Sequence, residues 1–315
     1  MKKRMMAVSA SALVLALGVA ACGGDEGGGG GSDLSGKIRI DGSSTVAPLS
    51  EPAGEQFNGE NENVKVTVGT SGTGGGFEKF CAGETDISDA SRQIEPDEEK
   101  ACADKGIEFT ELAVANDALS VVVNPENPVN CLTVEQLNAI WKPDSKLSSW
   151  GDVPRLEADF SEELQLFGPG TDSGTFDYFT EAINGEEGAS RTDYQNVGED
   201  DNATVTGVSG SPGGMGYFGF SFFEENQDTL KALEIDGGDG CVAPSAETAQ
   251  DGSYKPLARQ LYIYPSAKAL KKPAVKQFVE YYINNSDTIA EEAGFIPLTE
   301  EQKQESLDKV AKLAG

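Results

Sequence analysis

Three short runs rich in serine, threonine and glycine are the residues of this chain best suited to chemistry. The runs are Asp41-Gly42-Ser43-Ser44-Thr45, Gly69-Thr70-Ser71-Gly72-Thr73-Gly74-Gly75-Gly76 and Gly170-Thr171-Asp172-Ser173-Gly174-Thr175. Each run follows a strand-like stretch and opens a helix-like one. Such a helix start offers free backbone N–H groups at the positive end of the helix dipole, with hydroxyl donors beside them. Three converging starts would satisfy the four oxygens of a tetrahedral oxyanion.

Each run taken alone has a simpler interpretation, because a serine or threonine at a helix start is usually an ordinary N-cap. The occurrence of three runs in one chain favours anion binding. The glycine-rich run lacks a following Lys-Ser or Lys-Thr pair, which argues against a nucleotide P-loop, and the chain contains no Gly-x-Ser-x-Gly elbow. The runs therefore predict a site for a small anion.

The composition excludes several classes of function. The 315 residues include 53 acids and 24 lysines and arginines, a formal charge of −29, and no histidine. A uniformly acidic chain repels nucleic acids, whose binding needs clustered cations. The absence of histidine removes histidine-assisted nucleophiles and histidine metal sites. We predict no catalytic residue, no metal, no cofactor and no nucleic-acid partner.

The elements that must position the three runs alternate between strand and helix. A repeated order of strand, tight Gly/Ser turn and helix is typical of a parallel α/β sheet. The pattern restarts after Pro125, which predicts two α/β blocks with boundaries near residues 115–118 and near Arg259. The predicted strands are 37–44, 64–72, 109–124 and 254–266, with a strand and loop at 164–174. The predicted helices are 44–58, 74–84, 98–105, 132–141, 175–183, 273–284 and 300–314, and 213–223 is compatible with either.

The N-terminus has the layout of an export signal. A basic start at residues 2–4 precedes an uncharged run, and together residues 1–21 resemble a signal peptide that is short for a membrane span. The run ends at Cys22, which resembles the lipidated cysteine of bacterial lipoproteins, and a glycine-rich tether occupies 22–36. An uncleaved anchor helix is the alternative. Cleavage changes the charge to (24 − 3) − 53 = −32.

The four remaining cysteines predict two disulfides, since an even number in an exported chain is typical of paired cysteines. Three pairings are possible. We favour Cys81 with Cys102, which closes a short local loop, and Cys131 with Cys241, which spans one block. A four-thiolate metal site is the alternative, but the chain has no close Cys-x-x-Cys pair.

Six segments together resemble the PstS family, the phosphate-binding proteins of bacterial ABC phosphate uptake. They are DGSSTVAP, TVGTSGTGGGF, TDISDASR, GPGTDSGTF, GGMGYFGF and RQLYIY. The resemblance implies a type 2 periplasmic-binding-protein fold, with two α/β lobes joined by a two-crossover hinge and a ligand cleft between them. It places lobe 1 at 37–117 and 260–315 and lobe 2 at 118–259.

The same resemblance implies a non-enzymatic, monomeric receptor that hands phosphate to an ABC permease. The lipoprotein signal places it on the outer face of the cell membrane, held only by its lipid (palmitate at Cys22), as in Gram-positive members of the family. Carried over onto this chain, the implied phosphate ligands are Ser44, Thr45, Ser71, Gly72, Thr73, Ser91, Ser173, Gly174 and Thr175.

The chain departs from the family at two ligand positions. Many members have an arginine where this chain has Pro169, and we therefore predict that Arg92 supplies the cation. The best-known members use an aspartate, where this chain has Ser91, to accept the proton of hydrogen phosphate. We expect Asp172 to replace it, with Asp89 and Asp41 as further candidates.

Two other functions stay open at this point. The same fold could select sulfate or a phosphonate, because the familiar arginine and aspartate are missing. An exported phosphatase is the second, and it would depend on carboxylate-bound metals, since the chain lacks histidine.

Overall fold

A computed structural model describes residues 34–314 of the chain. The predicted signal peptide, Cys22 and most of the tether lie outside the described residues. Within 34–314, none of the helices combines the length and the apolar character needed to cross a membrane.

Strands and helices alternate through most of the chain, as the sequence pattern predicts. The strands are β1 Gly36–Gly42, β2 Val64–Gly69, β3 Ile87–Ala90, β4 Leu112–Val123, β5 Cys131–Thr133, β6 Gln165–Gly168, β7 Gln195–Asn196, β8 Gly214–Gly219, β9 Lys231–Ala232, β10 Glu234–Asp236, β11 Cys241–Val242 and β12 Ala258–Pro265. The helices are α1 Ala47–Glu60, α2 Gly72–Cys81, α3 Pro96–Asp104, α4 Val134–Trp141, α5 Gly174–Asn184, α6 Asp201–Ser209, α7 Phe220–Asn226, α8 Ala246–Gln250, α9 Ala267–Leu270, α10 Pro273–Asn284, α11 Ser286–Glu292 and α12 Glu300–Ala314. The ambiguous stretch 213–223 divides into β8 and α7.

One sheet runs through both halves of the described chain, in the order β2-β1-β3-β12-β4-β8-β6-β7, with β9 also on β4. Strands β1, β2 and β3 are parallel, as are β6, β7 and β8. The fully buried strand β4 belongs to both halves. Its first part pairs with β12 up to Ala118, and its second part pairs with β8 from Leu119.

The apolar side chains form two main cores, one on each side of that change of partner. In lobe 1, helix α1 packs on β2 and helix α10 on β1, with the rings of Phe57 and Phe278 in contact. In lobe 2, Trp141 and Tyr217 are fully buried against α5. The two cores give the mixed α/β, two-lobed fold that the sequence predicts, with β4 and β12 as the strands shared by both lobes.

The two predicted disulfides are confirmed. Cys81 bonds to Cys102 and joins α2 to α3, and Cys131 bonds to Cys241 across the small sheet of β5, β10 and β11. The Cys131–Cys241 disulfide also argues against a thiolate metal site, which is the alternative to paired cysteines. Cys131, Glu234 and Cys241 lie close enough to hold an ion, but both sulfurs are already bonded to each other.

Candidate functional site

A small cavity lies where the three Ser/Thr/Gly runs meet. Its volume is about 50 Å³, roughly four times the ~10–15 Å³ that one water needs. A tetrahedral ion with four oxygens is therefore of a suitable size. The cavity is lined by Ser43, Ser44, Thr45, Gly72, Thr73, Ser91, Gly174, Asp177, Tyr178, Glu181, Glu187 and Arg259.

The first run reaches the cavity through a turn rather than through the helix itself. Helix α1 begins at Ala47, later than predicted, because the carbonyl of Ser43 accepts the N–H groups of Val46 and Ala47. The Ser43 hydroxyl accepts the N–H of Thr45 at 3.2 Å. This turn leaves the hydroxyls of Ser44 and Thr45 beside the cavity.

The second run is held in place by close packing of backbone on backbone. A Cβ added at Gly76 of α2 would lie 2.5 Å from the Cα of Gly42, so only glycine allows α2 to approach the end of β1 this closely. Gly72 has a φ of +80°, a conformation that glycine adopts readily. Ser71 donates both its N–H and its hydroxyl to Asp41, which fixes the loop to the end of β1.

Thr73 and Ser91 form the inner wall on the lobe 1 side. Their hydroxyls lie 3.0 Å apart, and the Ser91 N–H donates to the Thr73 hydroxyl at 3.2 Å. Both side chains line the cavity. The pair carries hydroxyl hydrogens that are free to rotate toward an acceptor oxygen.

The third run closes the cavity from lobe 2. Ser173 is the N-cap residue of α5, yet its side chain makes no capping hydrogen bond, and the same holds for Ser71 at α2. Other helices of the described chain do have side-chain caps, such as Thr133 at α4. A Cβ added at Gly174 would lie 3.2 Å from the Thr45 hydroxyl oxygen, so the two lobes are in close contact here.

Arg259 is the cation that lines the cavity, and it is a residue that sequence reasoning missed. Its guanidinium lies 3.5 Å from the ring centroid of Tyr178 in lobe 2 and donates to the Thr45 hydroxyl of lobe 1 at 3.4 Å. It pairs with Asp117 at 3.1 Å. The Arg259 side chain is 14% exposed, so water screens its charge only partly.

The register of the two shared strands places this ion pair. Asp117 of β4 lies directly opposite Arg259 of β12. Burial raises the pKa of the Asp117 carboxyl, and the attraction of Arg259 partly lowers it again. The pairing of β4 with β12 therefore holds the Asp117–Arg259 ion pair in place where these two strands pass from one lobe to the other.

Arg92, the predicted cationic ligand, lies outside the cavity lining. Its guanidinium donates to both carboxylate oxygens of Glu98, at 2.8 and 2.9 Å, and this bidentate bond raises the pKa of Arg92. Its charge also interacts with Glu181, which lines the cavity. Arg92 is thus close enough to influence the site while its donors are occupied by Glu98.

Three carboxylates of lobe 2 face the cavity, namely Asp177, Glu181 and Glu187. Burial raises the pKa of Asp177, Glu187 raises it further, and Arg259 opposes this shift. Asp172, the predicted proton acceptor, is exposed and is not part of the lining, although its charge also raises the pKa of Asp177. The α5 carboxylates that face the cavity, Asp177 and Glu181, lie five and nine residues after the predicted Asp172.

The structure thus brings together a subset of the predicted ligands. Ser44, Thr45, Gly72, Thr73, Ser91 and Gly174 line the cavity, whereas Ser71, Arg92, Asp172, Ser173 and Thr175 do not. A partial signal for Arg259 was present in the sequence, because it opens the RQLYIY segment at a predicted lobe boundary. Its partners Asp117 and Tyr178 are distant in sequence, and no local pattern predicts their contacts with Arg259.

Comparison with known proteins places the chain among binding proteins. The model of the PBP superfamily domain matches residues 28–286. Protein SphX of Synechococcus elongatus is 48% identical over 83% of this chain and 77% of its own length. The phosphate-binding protein PstS of Staphylococcus saprophyticus is 38% identical over 99% of this chain and 96% of its own length.

The fold also agrees with a solved structure. A crystal structure described as a possible phosphate-binding protein from Planctomyces limnophilus superposes with a TM-score of 0.84, at 44% identity over 90% of this chain and all of that one. The chain therefore shares the fold of that structure over nearly all of its described length.

Proposed function

The chain belongs to the PBP superfamily and, within it, to the family of PstS phosphate-binding proteins, and on that premise we propose that it captures inorganic phosphate in the cavity between its lobes. It is a binding protein rather than an enzyme. We further propose that it is a monomeric lipoprotein, lipidated at Cys22 on the outer face of the cell membrane, which delivers phosphate to an ABC permease.

The observation that carries the proposal is the set of donors around one small cavity. Ser71 and Ser173 stand at helix starts whose amides they do not cap, and the hydroxyls of Thr45 and Thr73 line the space between those starts. Arg259 supplies a cation at the same place. Backbone amides, hydroxyls and a single guanidinium match a dianion with several acceptor oxygens.

We propose lobes at 37–117 with 260–315 and at 118–259, as the sequence predicts. The change of strand partner between Ala118 and Leu119 and the separate cores support this division. Donors from both lobes would bind the closed state better than the open one, and this difference drives closure. Arg259 contributes directly, because it contacts Thr45 of one lobe and Tyr178 of the other.

The three carboxylates that line the cavity would make the site bind phosphate in preference to sulfate. Hydrogen phosphate carries a proton that an ionised carboxylate accepts, whereas sulfate has none at neutral pH and meets only repulsion. Asp172 was the predicted acceptor, and the geometry favours Asp177, which faces the cavity from α5. The hydrogen bond would run from the phosphate O–H to an Oδ of Asp177.

For the cation, we propose that Arg259 contacts the anion and that Arg92 supports the site from its rim. Arg259→Lys keeps the charge but loses the planar fork and the stacking on Tyr178. Isothermal titration of the mature chain with phosphate should show at least tenfold weaker binding for this variant. Arg155→Lys is the matched control, because Arg155 is an exposed arginine of lobe 2 paired with Glu135.

The titration is repeated with sulfate and combined with an assay on a chromogenic phosphate ester, with and without divalent cations. Phosphate binding without hydrolysis, and with much weaker sulfate binding, supports the proposal. Equal binding of sulfate would favour the other oxyanion receptor. Turnover of the ester would favour the phosphatase, and no binding of either anion would overturn the proposed function.

A further inference from the structure

A buried carboxyl group lies behind the lobe 1 wall of the cavity. Asp89 of β3 is fully buried and precedes the cavity residue Ser91 by two positions. It is one of the further candidates for the proton acceptor, but it is not among the residues that line the cavity. The Asp89 carboxyl therefore influences a bound anion through its charge rather than through a hydrogen bond.

Both Ser/Thr/Gly runs of lobe 1 are attached to Asp89 or to its neighbour on β1. The carbonyl of Asp89 accepts the N–H of Ser43 at 3.0 Å. Asp89 lies opposite Gly42 in the pairing of β1 with β3. Asp41, one position earlier on β1, accepts two hydrogen bonds from Ser71 of the second run. A charge on Asp89 would therefore lie beneath the two loops that present donors to the cavity.

The surroundings of the Asp89 carboxyl disfavour its charged form. Among residues 34–314, neither of its oxygens has a hydrogen-bond partner, and no lysine or arginine pairs with it. The hydroxyl of Ser50 on α1 faces the carboxyl and lies 3.1 Å from the hydroxyl of Tyr282 on α10. Burial raises the pKa of Tyr282 well above its usual range, so this group stays neutral. An ionised Asp89 would thus be a buried negative charge beside neutral hydroxyl groups.

The groups on the other elements packed against Asp89 do not stabilise its charge either. Asp41 of β1 adds a negative charge nearby, and Lys79 of α2 is already paired with that charge at 2.7 Å. On β12, Asp89 lies opposite the apolar residue Ile263. Burial is the main cause of the raised pKa of the Asp89 carboxyl, which is about 7. The carboxyl thus changes its charge near neutral pH.

An anion in the cavity would oppose the ionisation of Asp89 further. Two residues of extended chain and the Ser91 side chain separate the carboxyl from the cavity by about 10 Å. At that distance, with an effective dielectric constant of about 20, each negative charge of the anion raises the pKa of the carboxyl by about one pH unit. Binding of an anion therefore favours the neutral form of Asp89.

We propose that the binding of phosphate in the cavity is coupled to the uptake of a proton by the buried carboxyl of Asp89. This inference rests on the proposed function, because it requires phosphate in that cavity. The proton comes from the solvent and forms an O–H bond with an Oδ of Asp89, so the carboxyl loses its negative charge. This proton is separate from the one that hydrogen phosphate itself carries toward Asp177.

The coupling sets the pH range in which phosphate is captured. In the free protein the Asp89 carboxyl loses its proton as the pH rises through about 7, and in the complex it loses that proton about one pH unit higher. At low pH, Asp89 is neutral in both states and does not weaken binding. As the pH rises past neutrality the affinity falls, by at least about fivefold at pH 8.5, and the uptake at pH 7 is about 0.4 of a proton.

The test is isothermal titration of the mature chain with phosphate at pH 7, in two buffers that differ in their ionisation enthalpy. The difference in heat between the buffers gives the number of protons taken up. Asp89→Asn is neutral at every pH, so the parent should take up about 0.4 of a proton more than this variant. Between pH 5.5 and pH 8.5, the affinity of the parent relative to the variant should fall by at least about fivefold. The ionisation of phosphate and of Asp177 is common to both proteins and cancels.

Two further variants complete the test. Ser50→Ala removes the hydroxyl that lowers the pKa of Asp89, so its proton uptake should be greatest at a higher pH than in the parent, and an unchanged pH of greatest uptake counts against the proposal. Asp144→Asn, at an exposed carboxyl of lobe 2, should match the parent. Equal proton uptake by the parent and Asp89→Asn, when both bind phosphate, would overturn the proposal and leave the proposed function intact. A parent that binds no phosphate at any pH would overturn the proposed function, and this inference with it.

Discussion

Asp89 is a buried carboxyl group whose ionisation should control the stability of lobe 1. It lies on β3, is fully buried, and neither of its side-chain oxygens has a hydrogen-bond partner in the described chain. The pKa of its carboxyl is raised from 3.8 to about 7, chiefly because burial disfavours the charged form; Ser50 opposes this shift, and the charge of Asp41 adds a smaller upward contribution. The other ionisable group facing it is Tyr282 of α10, whose hydroxyl lies 3.1 Å from that of Ser50.

The direction of the effect follows from proton linkage. A carboxyl with a pKa of about 7 in the folded state and 3.8 in the unfolded state stabilises the fold fully below the lower value. That contribution is lost as the pH rises from the lower value through about 7, because in this range the unfolded carboxyl releases its proton while the buried one still holds it. Between pH 5 and pH 8 the loss is about 2.5 kcal/mol, as an order of magnitude.

Asp89→Asn removes this titration while keeping the shape of the side chain. Urea unfolding at pH 5, 6.5 and 8 should show that the free energy of unfolding of the parent falls more steeply with pH than that of the variant, by about 2.5 kcal/mol over the range. Other titrating groups are common to both proteins and cancel in the comparison. Asp144→Asn, at an exposed carboxyl, is the control. Parallel pH profiles for the parent and Asp89→Asn would show that the buried carboxyl is not raised as described.

Three further predictions concern the site and its frame. Arg92→Ala should weaken phosphate binding less than tenfold, because the bond to Glu98 occupies the Arg92 guanidinium; calorimetry on this variant beside Arg259→Lys measures this, and a tenfold or larger loss would make Arg92 the cationic ligand. Asp177→Asn should narrow the preference for phosphate over sulfate more than Asp172→Asn does, and an equal effect would return the proton acceptor to the predicted residue. Cys131→Ser with Cys241→Ser removes only the disulfide between residues that are 110 apart and should lower the free energy of unfolding by up to about 4.7 kcal/mol. Urea unfolding of this variant beside the parent measures this, and equal free energies of unfolding would contradict it.

The frame of this protein could be predicted from its sequence because local signals agree there. Alternating apolar residues, Gly/Ser turns and helical periodicity marked β1, β2, β4, α5 and α10 at close to their observed bounds. The short helices α8, α9 and α11 were not predicted, since four to seven residues carry too little periodicity. Cysteine pairing followed from simple loop lengths.

The chemistry of the site was harder to predict because it depends on contacts between distant parts of the chain. Arg259 acquires its place from the pairing of β12 with β4 and from stacking on Tyr178. Ser71 is a suitable ligand by type, but its hydroxyl is bonded to Asp41, which is 30 residues away. Local sequence thus identified the loops, and tertiary register decided which of their donors face the cavity.

A crystal structure of the mature chain grown with phosphate would test the binding site most directly. We predict tetrahedral density in the cavity, contacted by the Thr45 hydroxyl, the N-terminal amides of α2 and α5, and the guanidinium of Arg259. Density elsewhere on the molecule, or an empty cavity in a chain that calorimetry shows to bind phosphate, would contradict the proposed site.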